Sequence, residues 1–139
     1  MKKNHLMIIV CILAVGLISG CSKTWNKTFG GSGLDYALSV QQTRDGGYIV
    51  AGYSGSYDIP GVTNHGNDDA YLVKLDATGA VVWQQMYGGS CCDAAESIQQ
   101  TSDGGYIVTG DSYSTDIPGC TNHGLADYSL LKLDADGNL

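Results

Sequence analysis

Arginine, glutamate and phenylalanine each occur once in these 139 residues, and proline twice. Seven basic residues against 14 acidic ones leave no phosphate-neutralising surface, so nucleic acid is not an expected partner. Twenty glycines with so little proline rule out a collagen-like rod, and 43% hydrophobic content with 15% charged is too apolar for a disordered tail. The length excludes a multidomain enzyme. The longest apolar run, Leu6 to Ile18, falls short of the roughly 20 residues that cross a bilayer as a helix. Also missing are a nucleophile with a nearby base and a Gly-rich phosphate loop between a strand and a helix.

What is present begins with an export signal. Lys2 and Lys3 precede the apolar run, and Ser19-Gly20-Cys21 closes it with small residues. Ile18-Ser19-Gly20-Cys21 resembles the bacterial lipobox, in which the cysteine becomes the lipidated first residue of the mature protein. The alternative is an ordinary signal cleaved elsewhere. The resemblance implies a protein held on a membrane through lipid at Cys21 without spanning it. By the same resemblance to lipoproteins, Ser22 after the cysteine implies the outer membrane of a bacterial cell envelope. Loss of the signal leaves five basic residues and a net charge of −9, which keeps the domain soluble above anionic head groups.

The rest of the chain repeats with a period of 58. Aligning Trp25 with Trp83 gives 57 ungapped pairs, 34 of them identical. The shared blocks are Gly-Gly-Ser at 30 and 88, Asp-Gly-Gly-Tyr-Ile-Val at 45 and 103, Asp-Ile-Pro-Gly at 58 and 116, Asn-His-Gly at 64 and 122, and Lys-Leu-Asp at 74 and 132. The expected divisions are a signal over 1–20, a lipidated linker over 21–24, repeat 1 over 25–82 and repeat 2 over 83–139, stopping before its last strand.

Strand signals fall at 37–43, 48–54, 70–76 and 80–87. Asp45-Gly46-Gly47 and Asp76-Ala77-Thr78-Gly79 supply the tight turns, and 55–69 forms a surface loop. Tyr48-Ile49-Val50-Ala51 is continuously apolar, as a strand covered on both faces would be. Residues 24–29 read as a fourth strand without its first three. No stretch from Trp25 onward reads as an amphipathic helix. The expected fold class is all-β, with antiparallel four-stranded repeats of 58 residues forming β-propeller-like blades: about two blades of an incomplete propeller. The repeated blocks resemble tandem propeller-type repeats of exported bacterial proteins, often lipoproteins. Leu75 to Gly79, followed by Trp83, is also similar to the Trp-docking turn of quinoprotein propellers, although the Asp-to-Thr spacing is one residue shorter here.

Two blades do not close a ring, so further repeats or other copies must cover the sheet faces. Either the N-terminal strand completes the last blade or the gene is truncated, and truncation is the favoured expectation.

Counting strand directions puts the loops before strand one and between strands two and three on one rim. That rim gathers Asp35, Asp58, Asn64, His65, Asp68 and Asp69 from repeat 1, and Asp93, Asp116, Asn122, His123 and Asp127 from repeat 2. Such oxygen-rich loops suit Ca²⁺ or a polyhydroxylated ligand, but Asp, Asn and Gly are also what turns require, and no cofactor or metal is expected. Asp134-Ala135-Asp136-Gly137-Asn138 is read as a hairpin turn rather than a calcium loop. Cys91, Cys92 and Cys120 share the rim, and an oxidising periplasm favours Cys120 paired with Cys91 or Cys92. Zinc on these cysteines with His123 is disfavoured, because vicinal cysteines clamp one ion poorly. Asp93 and Glu96 are the obvious carboxylate pair for glycoside hydrolysis, but Leu38 stands at the Glu96 position of repeat 1, and a solvent-facing strand residue explains Glu96 more simply. No catalytic residue is assigned. The expected role is non-catalytic binding or scaffolding, with a glycan-binding or polysaccharide-hydrolase-associated module of endoglucanase-like proteins as the competing class and a quinoprotein oxidoreductase as a third.

Overall fold

The structure, a computed structural model, describes residues 24–139, so the expected export signal over 1–20 and Cys21 lie outside the described residues. These residues form seven strands and no helix. In repeat 1, β1 (Asp35–Gln42), β2 (Tyr48–Ser54), β3 (Asp69–Leu75) and β4 (Val81–Tyr87) make an antiparallel sheet in sequential order. In repeat 2, β5 (Asp93–Gln100), β6 (Tyr106–Ser112) and β7 (Asp127–Leu133) make a three-stranded antiparallel sheet. The strands fall within two residues of their sequence-derived bounds. The fold is therefore all-β, with two propeller-like blades that do not close.

The repeated blocks have local explanations. Thr43 and Gly47 close the β1–β2 hairpin, with Gly46 at φ 82°. Asp45 takes the Gly47 amide at 3.0 Å and the Lys74 ammonium at 2.8 Å, tying the Asp-Gly-Gly turn to the Lys-Leu-Asp block across the sheet. Asp103, Gly105 and Lys132 repeat this clamp in the second blade. A bulge recurs between Ala37 and Ser39 and between Ala95 and Ser97, so Glu96 is an extra, exposed residue on its strand.

Strand alternation decides how the sheets stack. Ile49 and Ala51 of β2 and Ala70 and Leu72 of β3 point at repeat 2, where Ala95, Ile98, Tyr106, Val108 and Leu133 meet them. Tyr71, Val73 and Leu75 take the opposite face with Tyr48 and Val50. Since Tyr106 and Val108 correspond to Tyr48 and Val50, the front of one repeat packs on the back of the next. Trp83 fastens this junction, with its ring 5.8 Å from that of Tyr106 at 70° and its Nε1 donating to the Ala135 carbonyl at 3.1 Å. Beside it, the Tyr87 hydroxyl donates to the Gly137 carbonyl.

The expectation for 24–29 needs correction, since that segment joins no strand ladder. The free third-strand edge is that of β7 in repeat 2, whereas Trp25 and Phe29 pack on the outer face of the repeat 1 sheet, where β3 is already paired on both edges. Even so, Trp25 sits edge-on to Tyr48 at 5.7 Å and 75°, as Trp83 sits to Tyr106. Phe29 packs on the outer face of sheet 1 as its counterpart Tyr87 packs in the junction. The segment thus occupies the place of a fourth strand through its aromatic side chains, without backbone pairing.

A side chain at Gly66 would collide with the carbonyl oxygens of Gly89 and Cys91 across the junction, whereas one at Gly124, the equivalent position, would meet nothing within 4 Å. Gly66→Ala should therefore cost about 1–3 kcal/mol in urea unfolding of the chain while Gly124→Ala stays near neutral. Equal effects of the two substitutions would contradict the front-to-back junction.

Candidate binding rim

The two loops expected to share a rim do meet. The Ser32 amide donates to Asp58 at 2.8 Å and the Gly33 amide to Ser56 Oγ at 2.9 Å. Repeat 2 copies both bonds, from Ser90 to Asp116 at 2.8 Å and from Cys91 to Ser114 at 2.9 Å. Asp35 accepts from the Gly31 amide at 3.0 Å and from the hydroxyls of Ser54 and Ser56. Asp93, its counterpart, accepts from the Gly89 amide at 2.8 Å and Ser114 Oγ at 2.7 Å.

The Asn-His-Gly blocks close their own loops. Asn64 accepts the Gly66 amide at 3.0 Å and donates to the Ser54 carbonyl at 3.1 Å, while Asn122 accepts the Gly124 amide at 2.8 Å. The His65 amide donates to Asp69 at 2.8 Å, with Nδ1 of the ring 2.7 Å from the same oxygen. His123 and Asp127 repeat this at 2.6 and 3.1 Å in a more exposed setting. Asp134 likewise accepts the amides of Asp136 and Asn138 at 2.9 and 2.8 Å, which makes 134–138 a self-capped hairpin turn.

Sequence reasoning placed the rim residues together but missed the serines that organise them. Ser54, Ser56 and Ser114 bond directly to the rim carboxylates or amides, and the signal that could have found them is their identity at the 58-residue spacing, Ser54 with Ser112 and Ser56 with Ser114. Glu96 and Asp93 differ in setting: Glu96 is exposed at its bulge, and Asp93 is buried within its own loop network.

Cys91, Cys92 and Cys120 are free thiols, with Cys120 exposed and the other two half-buried. Cys92 lies toward repeat 1, bridging Asp68 in parallel, and burial pushes its thiol up. The Cys120 amide closes the turn that begins at Ile117, at 3.1 Å. Among the described residues, no group of three or more His, Cys, Asp or Glu side chains converges as a metal-binding cluster.

The rim's electrostatics follow from these bonds. Amide donation from Ser32 and from Ser90 holds Asp58 and Asp116 below the ordinary carboxylate range, and the His123 amide does the same to Asp127. On the opposite rim, Lys74 and Thr43 lower Asp45, and Thr101 and Lys132 lower Asp103. Asp69 is the exception, since burial pushes it up despite its bonds from His65. Among known proteins, no family model and no curated protein matches the chain.

A depressed carboxylate contributes stability above its unfolded pKa of about 3.9 and loses it as pH falls further, while the raised Asp69 opposes folding at neutral pH. The urea midpoint should therefore hold or rise slightly from pH 7 to 5 and fall below about pH 4, with a shallower acid fall in Asp58→Asn. A steep loss between pH 7 and 5.5 would contradict this assignment.

Proposed function

We propose that the chain is a lipid-anchored propeller-repeat protein of the bacterial cell envelope with a binding or scaffolding role rather than a catalytic one. The observation that carries this reading is the exposure of two sheet faces whose counterparts form the junction. Leu72 is 0% exposed in the junction, and Leu130, its equivalent, is 60% exposed. Ile98 is 3% exposed there, and Val40, its equivalent, is 66% exposed. Front and back are different faces, so the contact is heterologous: a second copy can set its sheet 1 on the open face of sheet 2, and the series continues as a ring or an open row. The open faces suit each other. An open groove of about 610 Å³ lies over sheet 1 between Trp25, Phe29, Val40 and Tyr48, while Tyr128 and Leu130 project from sheet 2. Where the junction has Ala51 and Ala70, that projecting face has the larger Thr109 and Tyr128.

The rim supports a non-catalytic role, because its carboxylates and Asn-His-Gly blocks are engaged in closing their own loops. The envelope address rests on the lipobox-like Ile18-Ser19-Gly20-Cys21.

Sedimentation of the full chain in detergent should reveal concentration-dependent head-to-tail oligomers. Leu130→Asp should shift them at least about tenfold toward monomer while leaving the unfolding midpoint within about 0.5 kcal/mol. In cells, Cys21→Ser should abolish lipid incorporation and retention in the membrane fraction. A chain that stays monomeric at all concentrations would sink the scaffolding role, and unchanged retention of the Cys21 variant would sink the anchor.

A further inference from the structure

Two buried carboxylates face each other across the blade junction with an oxygen to spare on each. Asp69, at the start of β3, is fully buried, and its Oδ2 takes both His65 bonds. Its Oδ1 receives no hydrogen bond from any described residue. Asp93, at the start of β5 on the other blade, is also buried; its Oδ2 takes the Gly89 amide and Ser114 Oγ, and its Oδ1 is likewise without a donor. The carboxylates converge on Gly88, where an added Cβ would stand 2.5 Å from Asp69 Oδ1 and 2.7 Å from Asp93 Oδ2.

No protein cation offsets this pair among the described residues. Lys74 and Lys132 are held by Asp45 and Asp103, and the one ion-pair partner of Asp69, His65, is spent on Oδ2. Two carboxylates withdrawn from water without a counter-charge are costly to keep ionised. An all-oxygen donor set of charge −2 is what a hard divalent ion takes up, and softer metals would require nitrogen or sulfur.

We propose that Asp69 and Asp93 together bind a Ca²⁺-class cation that clamps one blade to the next. Asp69 Oδ1 and the Asp93 carboxylate, which converge beside Gly88, are the protein ligands, and His65, donating to Asp69 Oδ2, positions the Asp69 carboxylate. A cavity of about 230 Å³ lined by His65, Gly88, Asp93 and Ser112 reaches the Asp93 side of the pair, the side from which waters would complete coordination. The site belongs to the junction and not to either repeat alone. Asp127 and Asp35, the equivalents of Asp69 and Asp93, lie at the open faces, so each blade added by a further copy or repeat brings one more such site.

The test is calorimetric titration of the chelator-treated full chain with CaCl₂, paired with thermal unfolding in Ca²⁺ and in EDTA. One equivalent should bind per chain and raise the unfolding temperature. Asp69→Asn and Asp93→Asn should each weaken binding at least about tenfold and abolish the shift, whereas Asp136→Asn, in an exposed turn, should leave both intact. Binding by the unsubstituted chain stands as evidence even if a junction variant fails to fold, and Asp69→Glu, which keeps the charge, should then retain uptake. The proposal is overturned by absence of uptake at millimolar Ca²⁺, by uptake that survives both asparagine substitutions, or by stabilisation in mild acid without uptake, which would mean that the pair shares a proton.

Discussion

The front-to-back contact between two sheets governs the rest of this molecule. Ten of the fourteen residues in β2 and β3 are apolar or aromatic, and alternation distributes them over both faces of the sheet. Neither face can be left to water at no cost, since a fully buried Leu or Ile contributes about 1.5–3 kcal/mol. Stacking one repeat on the next covers one face of each, and Trp83 and Tyr87 extend from β4 to lock onto the turn at Ala135 and Gly137. The same socket on repeat 1 is filled by Trp25, so the fastening device operates twice while the sheet contact forms once.

That contact also explains the chemistry at the rim. The loops beside it are closed by carboxylates accepting backbone amides, an economical way to order long connections that hold few apolar groups. Asp58, Asp116 and Asp127 are stabilised as anions by those amides. Asp69 and Asp93 stand apart because stacking carries them into the junction and leaves an oxygen on each with no partner among the described residues.

Much of this was legible in the sequence because the strongest signals are local and appear twice. The Asp-Gly-Gly hairpins, the four-residue Asp-to-Gly turns, the strand positions and the common rim follow from turn chemistry, alternation and strand direction. Residues 24–29 misled for a physical reason: their aromatic pattern is that of a fourth strand, but pairing also needs a free edge within reach, and the open edge of β7 is not beside the sheet face on which Trp25 and Phe29 pack. The serine network was visible as identity between repeats but resembled ordinary loop composition. The buried state of Asp69 was not legible at all, because Asp127 carries the same residue in the same local motif and differs only in having no blade beside it.

Native-state amide exchange measures directly whether the junction is the unit that holds the fold. If the two blades stand or fall together, the amides of β2, β3, β5 and β6, together with that of Asp93 bonded to the Asp68 carbonyl at 2.7 Å, will exchange with one opening free energy and one denaturant slope. Exchange of the β5–β6 amides at a distinctly lower free energy than those of β2–β3 would show sheets that open independently and would contradict a junction-dependent fold.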